Sequence, residues 1–285
     1  MRLALLERNG ERGVAAATDG VFHGFFENEP GYPGDLDTLL FLGWDFSRIG
    51  KTLLAGPILD VTGCRFLSPL LRPSKILCVG LNYQDHLEEV GLEKPAYPTI
   101  FCRVPSCLVG HGAPMVKPAE SDELDYEVEL AAVIGKRGRR IPEEKALEHI
   151  GAYSVFNDAS VRDYQMLTSQ WTLGKNFDAT GAFGPWLVTA DDLPPGGKGL
   201  AVSTRLNGVT VQASSTDHLI YPLAALVTIL SNVMTLEPGD IIVTGTPAGV
   251  GMSRKPPLYM KDGDVVEVEV ENIGVLRNPV VAGKV

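Results

Sequence analysis

Three carboxylates recur at every second residue at the start of the segment 125–134. Asp125, Glu127 and Glu129 alternate with other side chains, so in a β-strand they share one face. The apolar run from Ala131 to Ile134 predicts that this strand continues into a core. Carboxylates crowded at such a position repel one another unless a cation or protons compensate them. Oxygen ligands favour Mg²⁺ or Mn²⁺ over zinc and leave Ca²⁺ open, whereas the alternative interpretation is the solvated face of an antiparallel strand.

A second acidic cluster, residues 157–165, follows a strand-like segment at residues 152–156. Asp158 in this cluster could supply a further carboxylate ligand. The same cluster is also typical of a helix start, because Asn, Asp and Ser are common N-cap residues. The residues alone leave both interpretations open.

A histidine and a carboxylate follow the predicted strand at residues 76–79. With Asn82 as a helix N-cap, His86 and Glu89 lie one helical turn apart on the same face. A carboxylate at that distance can orient or charge an imidazole, which would make the two an acid–base pair. The alternative is a surface helix in which this pair has no function.

Two glycine-containing loops could contribute further groups. Residues 172–177 hold Lys175, and residues 243–251 place Gly245 and Thr246 directly after an apolar strand. The second loop lacks the Gly-Lys-Ser/Thr of a Walker loop, and the residues after it cannot open the helix of a dinucleotide site. Its backbone amides could still bind a carboxylate. Taken singly, each loop is more typical of a turn than of a site.

Two rival catalytic patterns are weaker. His86, Glu88 and the distant His218 have the residue types of the two-histidine, one-carboxylate site of non-heme iron oxygenases. That pattern normally lies on a strand, and its loose spacing arises often by chance. A serine hydrolase is disfavoured because the sequence has no Gly-x-Ser-x-Gly motif.

The elements that must position these residues are mainly strands. Strands are predicted at residues 76–79, 126–134, 201–206, 209–212, 241–244 and 265–270, with an Asn207-Gly208 hairpin turn. Apolar residues at helical spacing predict a helix at residues 222–234. Because strands and helices do not alternate regularly, the pattern predicts an α+β, mainly β fold.

Residues 1–70 are predicted to form a small N-terminal α/β domain ahead of a catalytic domain at residues 71–285. An Asn9-Gly10 turn between two apolar segments is typical of a hairpin, and a short helix is predicted at residues 35–42. Two prolines in residues 68–74 indicate a linker.

Composition narrows the class of partner. The 285 residues are 45% hydrophobic and 21% charged, as in globular proteins. A net charge of -10 disfavours nucleic acid, although a bound cation could still attract a small anionic substrate. The chain shows neither a signal-peptide core nor an apolar run of about 18 residues that could span a membrane, so a cytoplasmic location without a membrane partner is predicted. The spacing of the four cysteines matches no common zinc module.

In order and spacing, these segments resemble the fumarylacetoacetate hydrolase family from about residue 75 to residue 279. The resemblance extends to the branch of acylpyruvases, fumarylpyruvate hydrolases and hydroxyheptadienedioate isomerases, which act in the catabolism of aromatic compounds. Five motifs carry it: Gly80-Leu-Asn-Tyr with His86 and Glu89, Asp125-Tyr-Glu-Val-Glu-Leu, Asn157-Asp-Ala-Ser-Val-Arg-Asp-Tyr-Gln165, Gly174-Lys-Asn-Phe, and Thr244-Gly-Thr-Pro-Ala-Gly-Val-Gly251.

The resemblance implies a function for each motif. Glu127, Glu129 and Asp158 would hold Mg²⁺ or Mn²⁺, with Ca²⁺ able to replace them in a crystal. His86, Glu89 and Lys175 would be catalytic, and the substrate would contact Asn82, Arg162, Gln165, Gly245 and Thr246. The residues around His86 to Glu89 would form a lid that orders on binding. The fold would be a barrel-like β domain, commonly assembled as a homodimer.

The implied substrate is a small 2-oxo or 2,4-dioxo acid. The first hypothesis is hydrolysis of a carbon–carbon bond in an acylpyruvate such as fumarylpyruvate, with water activated by His86 and Glu89 and pyruvate released. The alternative is a decarboxylase, tautomerase or isomerase acting on an oxaloacetate-like or 2-hydroxymuconate-type acid. Both use a cation that stabilises an enolate.

Overall fold

Strands rich in apolar residues make up most of the fold. The computed structural model describes residues 1–91 and 93–284. Its strands are β1 (Arg2–Arg8), β2 (Glu11–Thr18), β3 (Val21–Phe26), β4 (Arg65–Phe66), β5 (Ile76–Gly80), β6 (Thr99–Arg103), β7 (Leu108–Val109), β8 (Met115–Lys117), β9 (Leu124–Asp125), β10 (Val128–Ile134), β11 (Ile150–Asp158), β12 (Ser160–Val161), β13 (Gly181–Thr189), β14 (Ala201–Leu206), β15 (Val209–Ser215), β16 (Ile241–Val243), β17 (Val265–Val270) and β18 (Gly274–Ala282).

Helices are shorter and fewer. They are α1 (Leu36–Phe41), α2 (Phe46–Leu54), α3 (Gln84–Val90), α4 (Glu143–Ala146), α5 (Arg162–Gln165), α6 (Thr172–Lys175) and α7 (Leu223–Val233). Short 3-10 turns lie at Pro105–Cys107, Leu147–His149, Ala190–Asp192, Pro195–Gly197, Thr216–His218 and Gly251–Ser253. Within the described ranges, no helix is long and apolar enough to cross a membrane.

Two sheets carry the architecture. The larger runs in the order β3-β2-β1-β13-β11-β10-β16-β5-β6, with β4 on β1 and β7 on β13, and the smaller runs β15-β14-β17-β18-β8. The predicted α+β, mainly β class is confirmed. Over residues 1–91 and 93–284 the sheets do not close into a barrel, so the barrel-like form implied by the resemblance corresponds here to two packed sheets.

Strand β10 is buried on both faces, which explains its unbroken apolar run. Leu130 and Ala132 join a core with the smaller sheet and α7, whereas Ala131 and Val133 join a core with α1 and α2. Glu129 has the parity of Ala131 and therefore lies on the side of the sheet that α1 and α2 cover further along.

The predicted turns and helices are confirmed at several points. Asn9 and Asn207 have φ of 55° and 51°, and each precedes a glycine with positive φ, as tight hairpin turns require. Asp35 caps α1 by accepting a hydrogen bond from the Thr38 amide at 2.8 Å. Pro222 lies at the N-cap of α7, one position before the first turn in which the sequence placed it.

The N-terminal segment is part of the larger sheet. Strand β1 pairs with β13 at Arg2 and Leu3, and α2 packs on the sheet through Phe46. A Cβ atom on Gly151 would come within 2.2 Å of the Phe46 ring, so only glycine leaves room for it. The domain boundary near residue 70 stays a prediction, but the two segments share one core.

This shared core predicts that truncating Phe46 destabilises the whole chain. Phe46 is 4% exposed and Phe41 is 89% exposed, so Phe41→Ala is a matched control. We expect Phe46→Ala to lower the free energy of unfolding in urea by about 3–5 kcal/mol in one cooperative transition, and Phe41→Ala to change it by less than about 0.5 kcal/mol. Two separate transitions, with only the first sensitive to Phe46→Ala, would show instead that the N-terminal segment folds by itself.

Candidate active site

Pairing between β10 and β11 brings three carboxylates together. Glu127 precedes β10, Glu129 lies within it, and Asp158 ends β11; the Asp158 amide donates to the Glu127 carbonyl at 2.9 Å. One carboxylate oxygen from each of the three residues lies within 4.8 Å of the others, and all three side chains are buried. Asp158 is therefore the end of a strand and not a helix N-cap.

Asp125 does not face this cluster, contrary to the expectation from alternation. The ladder is interrupted between β9 and β10, and the Asp125 carboxylate turns toward the loop after β16. It accepts hydrogen bonds from the amides of Gly251 and Met252 at 2.7 and 3.0 Å, and from Arg162 Nε at 2.9 Å. Asp125 thus anchors that loop and Arg162.

Two buried cations contact the carboxylates from the cavity side. Lys175 Nζ, at the end of α6, lies 2.6 Å from both Glu127 Oε2 and Asp158 Oδ2. Arg162 Nη2 lies 2.7 Å from Glu127 Oε1. Burial alone would lower the pKa of Lys175, but the charges of Asp158 and Glu127 raise it, so the ammonium stays charged.

The positive charges are shared unevenly among the carboxylates. Burial would raise the pKa of Glu127, but the charges of Lys175 and Arg162 lower it to about 2. Among the described residues Glu129 forms no ion pair, and burial together with repulsion from Asp158 and Glu127 outweighs the charge of Lys175 and raises the pKa of Glu129 well above the usual range. A cation beside Glu129 would relieve that repulsion.

The residues fit a hard divalent cation. All three candidate ligands are buried carboxylates that lie close together in one cavity. The repulsion that raises the pKa of Glu129 would be relieved by a bound cation. Oxygen-only ligand sets of this kind suit Mg²⁺, Mn²⁺ or Ca²⁺. Glu127, Glu129 and Asp158 are the residues that would hold it.

The predicted acid–base pair is formed. His86 Nδ1 lies 3.2 Å from Glu89 Oε2 on α3, and the Gly249 amide donates to Glu89 Oε1 at 2.9 Å. Burial would raise the pKa of Glu89, but hydrogen bonds from His86 and Ser253 lower it overall, so the carboxylate is ionised. Nδ1 is thereby occupied, which leaves Nε2 of His86 for chemistry.

The prediction that Asn82 caps α3 is wrong. Tyr83 occupies the N-cap position. The side-chain Nδ2 of Asn82 instead donates to the carbonyls of Thr244 and Tyr221 at 2.7 and 3.1 Å. Its Oδ1 accepts from the Tyr221 amide at 2.8 Å. Because the Asn82 side chain hydrogen-bonds to backbone groups, it links the start of α3 to the loop that holds Gly245.

The loop after β16 orients one ligand and one hydroxyl. The Gly245 amide donates to Glu129 Oε2, and the residue has φ of 103°. Thr246 Oγ1 accepts from Gln212 Nε2 at 3.0 Å, so its own proton is free to point into the cavity. Gly245 and Thr246 are thus positioned as a pair by the turn.

A cavity of about 300 Å³ opens in front of these groups. Its polar lining contains eight of the predicted site residues: His86, Glu127, Glu129, Asp158, Arg162, Gln165, Lys175 and Thr246. Asn82, Glu89 and Gly245 lie behind this lining. One wall is apolar, where Trp171 stacks edge-on against Phe101 with ring centroids 5.5 Å apart. A Cβ on Gly80 would meet the Trp171 ring at 2.2 Å, so this glycine makes room for that wall.

The rival iron pattern is not assembled. Glu88 lies on the exposed side of α3, where it accepts from Gln84 at 3.0 Å, and His218 is an exposed residue that contacts Ser214. Neither lines the cavity with His86.

Sequence reasoning missed two buried residues. Arg103, at the end of β6, contacts Asp158 Oδ1 at 2.5 Å, and Gln212 of β15 holds Thr246. The signal in the sequence for Arg103 was an arginine at the end of an apolar strand. Gln212 gave none, because its contacts with Thr246 and Val128 join parts of the chain 34 and 84 residues apart.

Similar proteins include relatives that are named oxaloacetate tautomerases. An oxaloacetate tautomerase, Fahd2a, mitochondrial, of Rattus norvegicus is 41% identical over 256 residues, which cover 89% of this chain and 82% of the relative. The oxaloacetate tautomerase FAHD2A, mitochondrial, of Homo sapiens is 40% identical over 257 residues, covering 89% and 82%. The predicted cytoplasmic location and homodimer are not tested by these likenesses and stay predictions.

Solved structures share the fold over the full length. A fumarylacetoacetate hydrolase from the psychrophilic Exiguobacterium antarcticum superposes with a TM-score of 0.87 at 37% identity, covering 99% of this chain and 100% of that one. A 2-hydroxyhepta-2,4-diene-1,7-dioate isomerase from Mycobacterium marinum gives 0.76 at 33% identity, with full coverage of both. The model of the fumarylacetoacetate (FAA) hydrolase C-terminal family matches residues 75–281. The chain therefore belongs to the fumarylacetoacetate hydrolase family.

Proposed function

We propose that the protein is a divalent-metal-dependent tautomerase of a small 2-oxo acid of the oxaloacetate type. The observation that carries the proposal is the buried cluster of Glu127, Glu129 and Asp158 facing the His86–Glu89 pair across one cavity. Relatives at 40–44% identity are named oxaloacetate tautomerases, which favours this activity over the hydrolysis that we ranked first from sequence.

Charge favours an anionic substrate despite the acidic chain. With Glu129 ionised, as it would be beside a bound cation, Asp125, Glu127, Glu129 and Asp158 carry four negative charges, against three positive charges from Arg103, Arg162 and Lys175. When bound, the divalent ion would make the cluster net positive and would draw electron density from the 2-oxo group, which acidifies the neighbouring carbon.

Two side chains are placed to hold the substrate. Gln165 Oε1 accepts from Arg162 Nη1 at 2.8 Å, so its amide nitrogen remains to donate into the cavity. The Thr246 hydroxyl can donate as well, because Gln212 already fills its acceptor site. Two such donors in one cavity would suit a carboxylate and would fix which end of the acid faces the cluster.

Tautomerisation requires one proton to leave C3 and one to arrive at the 2-oxygen, or the reverse, with no net change in composition. His86 is the group for the transfer at C3, because its Nδ1 is held by Glu89 and its Nε2 is left for the substrate. Glu89 orients the ring and stabilises the imidazolium that forms when it accepts the proton. The apolar wall of Trp171 and Phe101 would limit the access of water to the reacting carbon.

A second candidate is hydrolysis of an acylpyruvate, and the same pair favours it. A histidine paired with a carboxylate can activate water to attack the distal carbonyl, giving pyruvate and a carboxylic acid. The similar structure from Exiguobacterium antarcticum is named a fumarylacetoacetate hydrolase.

The first experiment compares the two activities on one preparation. Metal-stripped protein is supplied with Mg²⁺ or Mn²⁺ and assayed for loss of the enol absorbance of oxaloacetate, and separately for pyruvate release from acetylpyruvate and fumarylpyruvate. We expect tautomerisation at least tenfold above the metal-only rate, lost with EDTA. Pyruvate release from acylpyruvates without enol–keto conversion would reassign the enzyme as a hydrolase.

A second prediction concerns the proton-transfer residue. We expect His86→Gln to lower kcat for oxaloacetate tautomerisation by about 10²–10⁴-fold with Mn²⁺ affinity within a few-fold of wild type, since His86 is outside the ligand group. His218→Gln, at an exposed histidine, is the matched control and should leave kcat unchanged. If kcat of His86→Gln stays within threefold of wild type, another group moves the proton.

A further inference from the structure

Each carboxylate of the cluster has one oxygen held by a donor other than Lys175. Glu127 Oε1 pairs with Arg162 at 2.7 Å, Asp158 Oδ1 pairs with Arg103 at 2.5 Å, and Glu129 Oε2 accepts from the Gly245 amide. Of the other oxygens, Glu127 Oε2 and Asp158 Oδ2 each accept from Lys175 Nζ at 2.6 Å. Because a carboxylate oxygen has two lone pairs, each of these two could bind a cation beside Lys175, as Glu129 Oε1 could.

Arg103 is the most firmly held of the three donors. Its side chain is fully buried, and Nη1 also donates to the Ala159 carbonyl at 3.0 Å. Nη2 donates to Thr180 Oγ1 at 2.9 Å and Nε to Cys107 Sγ at 3.1 Å.

The surroundings of the guanidinium leave it little freedom. The Cζ atom of Arg103 lies 5.8 Å from the centre of the Phe156 ring. A Cβ on Gly181 would come within 3.0–3.1 Å of three guanidinium atoms. Arg103 is thus a rigid clamp on one oxygen of Asp158.

Such a clamp discriminates between divalent ions. Ca²⁺ takes six to eight oxygens at about 2.3–2.6 Å and commonly uses carboxylates in bidentate fashion, whereas Mg²⁺ takes six at about 2.0–2.1 Å. A carboxylate with one oxygen tied to an arginine binds through the other oxygen alone. Three such carboxylates supply three oxygens and leave three positions of a six-coordinate ion to water or substrate, whereas Ca²⁺ would lose the bidentate carboxylates that it commonly uses.

We propose that Arg103 is a positioning residue that restricts Asp158 to one ligating oxygen and so gives the site a preference for Mg²⁺ and Mn²⁺ over Ca²⁺. This inference rests on the divalent-metal site of the proposed function. If Arg103 only balanced charge, its loss would change the affinities for Mn²⁺ and Ca²⁺ by the same factor, because both ions carry the same charge. The ratio of the two affinities therefore isolates positioning from charge.

The test is calorimetric titration of Mn²⁺ and Ca²⁺ into metal-stripped full-length protein. Wild type should bind Mn²⁺ at least tenfold more tightly than Ca²⁺. Arg103→Met should narrow that ratio by tenfold or more, in line with the loss typical of groups that orient metal ligands, and Arg103→Lys should recover part of it. Arg205→Met, which removes an arginine paired with Glu267 and Glu269 far from the cavity, is the matched control and should keep the wild-type ratio.

If Arg103→Met folds and keeps the wild-type ratio of Mn²⁺ affinity to Ca²⁺ affinity, the inference is overturned. If near-ultraviolet circular dichroism shows that Arg103→Met does not fold, Thr180→Val is the deciding variant. This change removes the oxygen that accepts from Arg103 Nη2 and should narrow the ratio of the two affinities several-fold. An unchanged ratio in Thr180→Val overturns the inference. Binding of neither ion to wild type would overturn the metal site and the proposed function together. Tight Mn²⁺ binding with a ratio that no variant moves would overturn the role of Arg103 alone.

Discussion

Lys175 Nζ lies 2.6 Å from the carboxylates of Glu127, just before β10, and of Asp158, at the end of β11, and is at the centre of a buried network of opposite charges. Removing water from ions costs several kcal/mol each, and such a network is tolerated only where every charge has close partners. Arg103 and Arg162 complete the pairing on the far sides of Asp158 and Glu127. Among the described residues Glu129 alone in the cluster forms no ion pair, and a bound cation would relieve its repulsion from Asp158 and Glu127.

The fold keeps these charges in place by covering both faces of the strands that carry them. Strand β10 is buried between the smaller sheet on one side and the N-terminal helices on the other, and its pairing with β11 sets Asp158 against Glu127. The loop after β16 then binds Glu129 and Glu89 through the amides of Gly245 and Gly249. One loop therefore links the ligand cluster to the acid–base pair, so that the spacing between them does not depend on a flexible side chain.

Part of this site could be predicted from sequence because it depends on local periodicity. Glu127 and Glu129 share a face by the period of a strand, and His86 meets Glu89 by the period of a helix. The order of motifs added Asp158, Lys175 and Gln165. What could not be predicted depends on contacts between distant segments: Asp125 turns away because its partners are 126 and 127 residues further along, and Asn82 abandons the cap for carbonyls 139 and 162 residues away. Arg103 was missed for the same reason, since Asp158, Ala159 and Thr180 lie 55, 56 and 77 residues further along the chain.

Anomalous diffraction at the manganese edge from crystals soaked in Mn²⁺ tests the central claim most directly. The account predicts one dominant peak in the cavity, within about 2.0–2.3 Å of one oxygen each from Glu127, Glu129 and Asp158, with Arg103 still on the other oxygen of Asp158. Absence of a peak there under conditions in which the protein turns over substrate, or a peak coordinated by other residues, would contradict it.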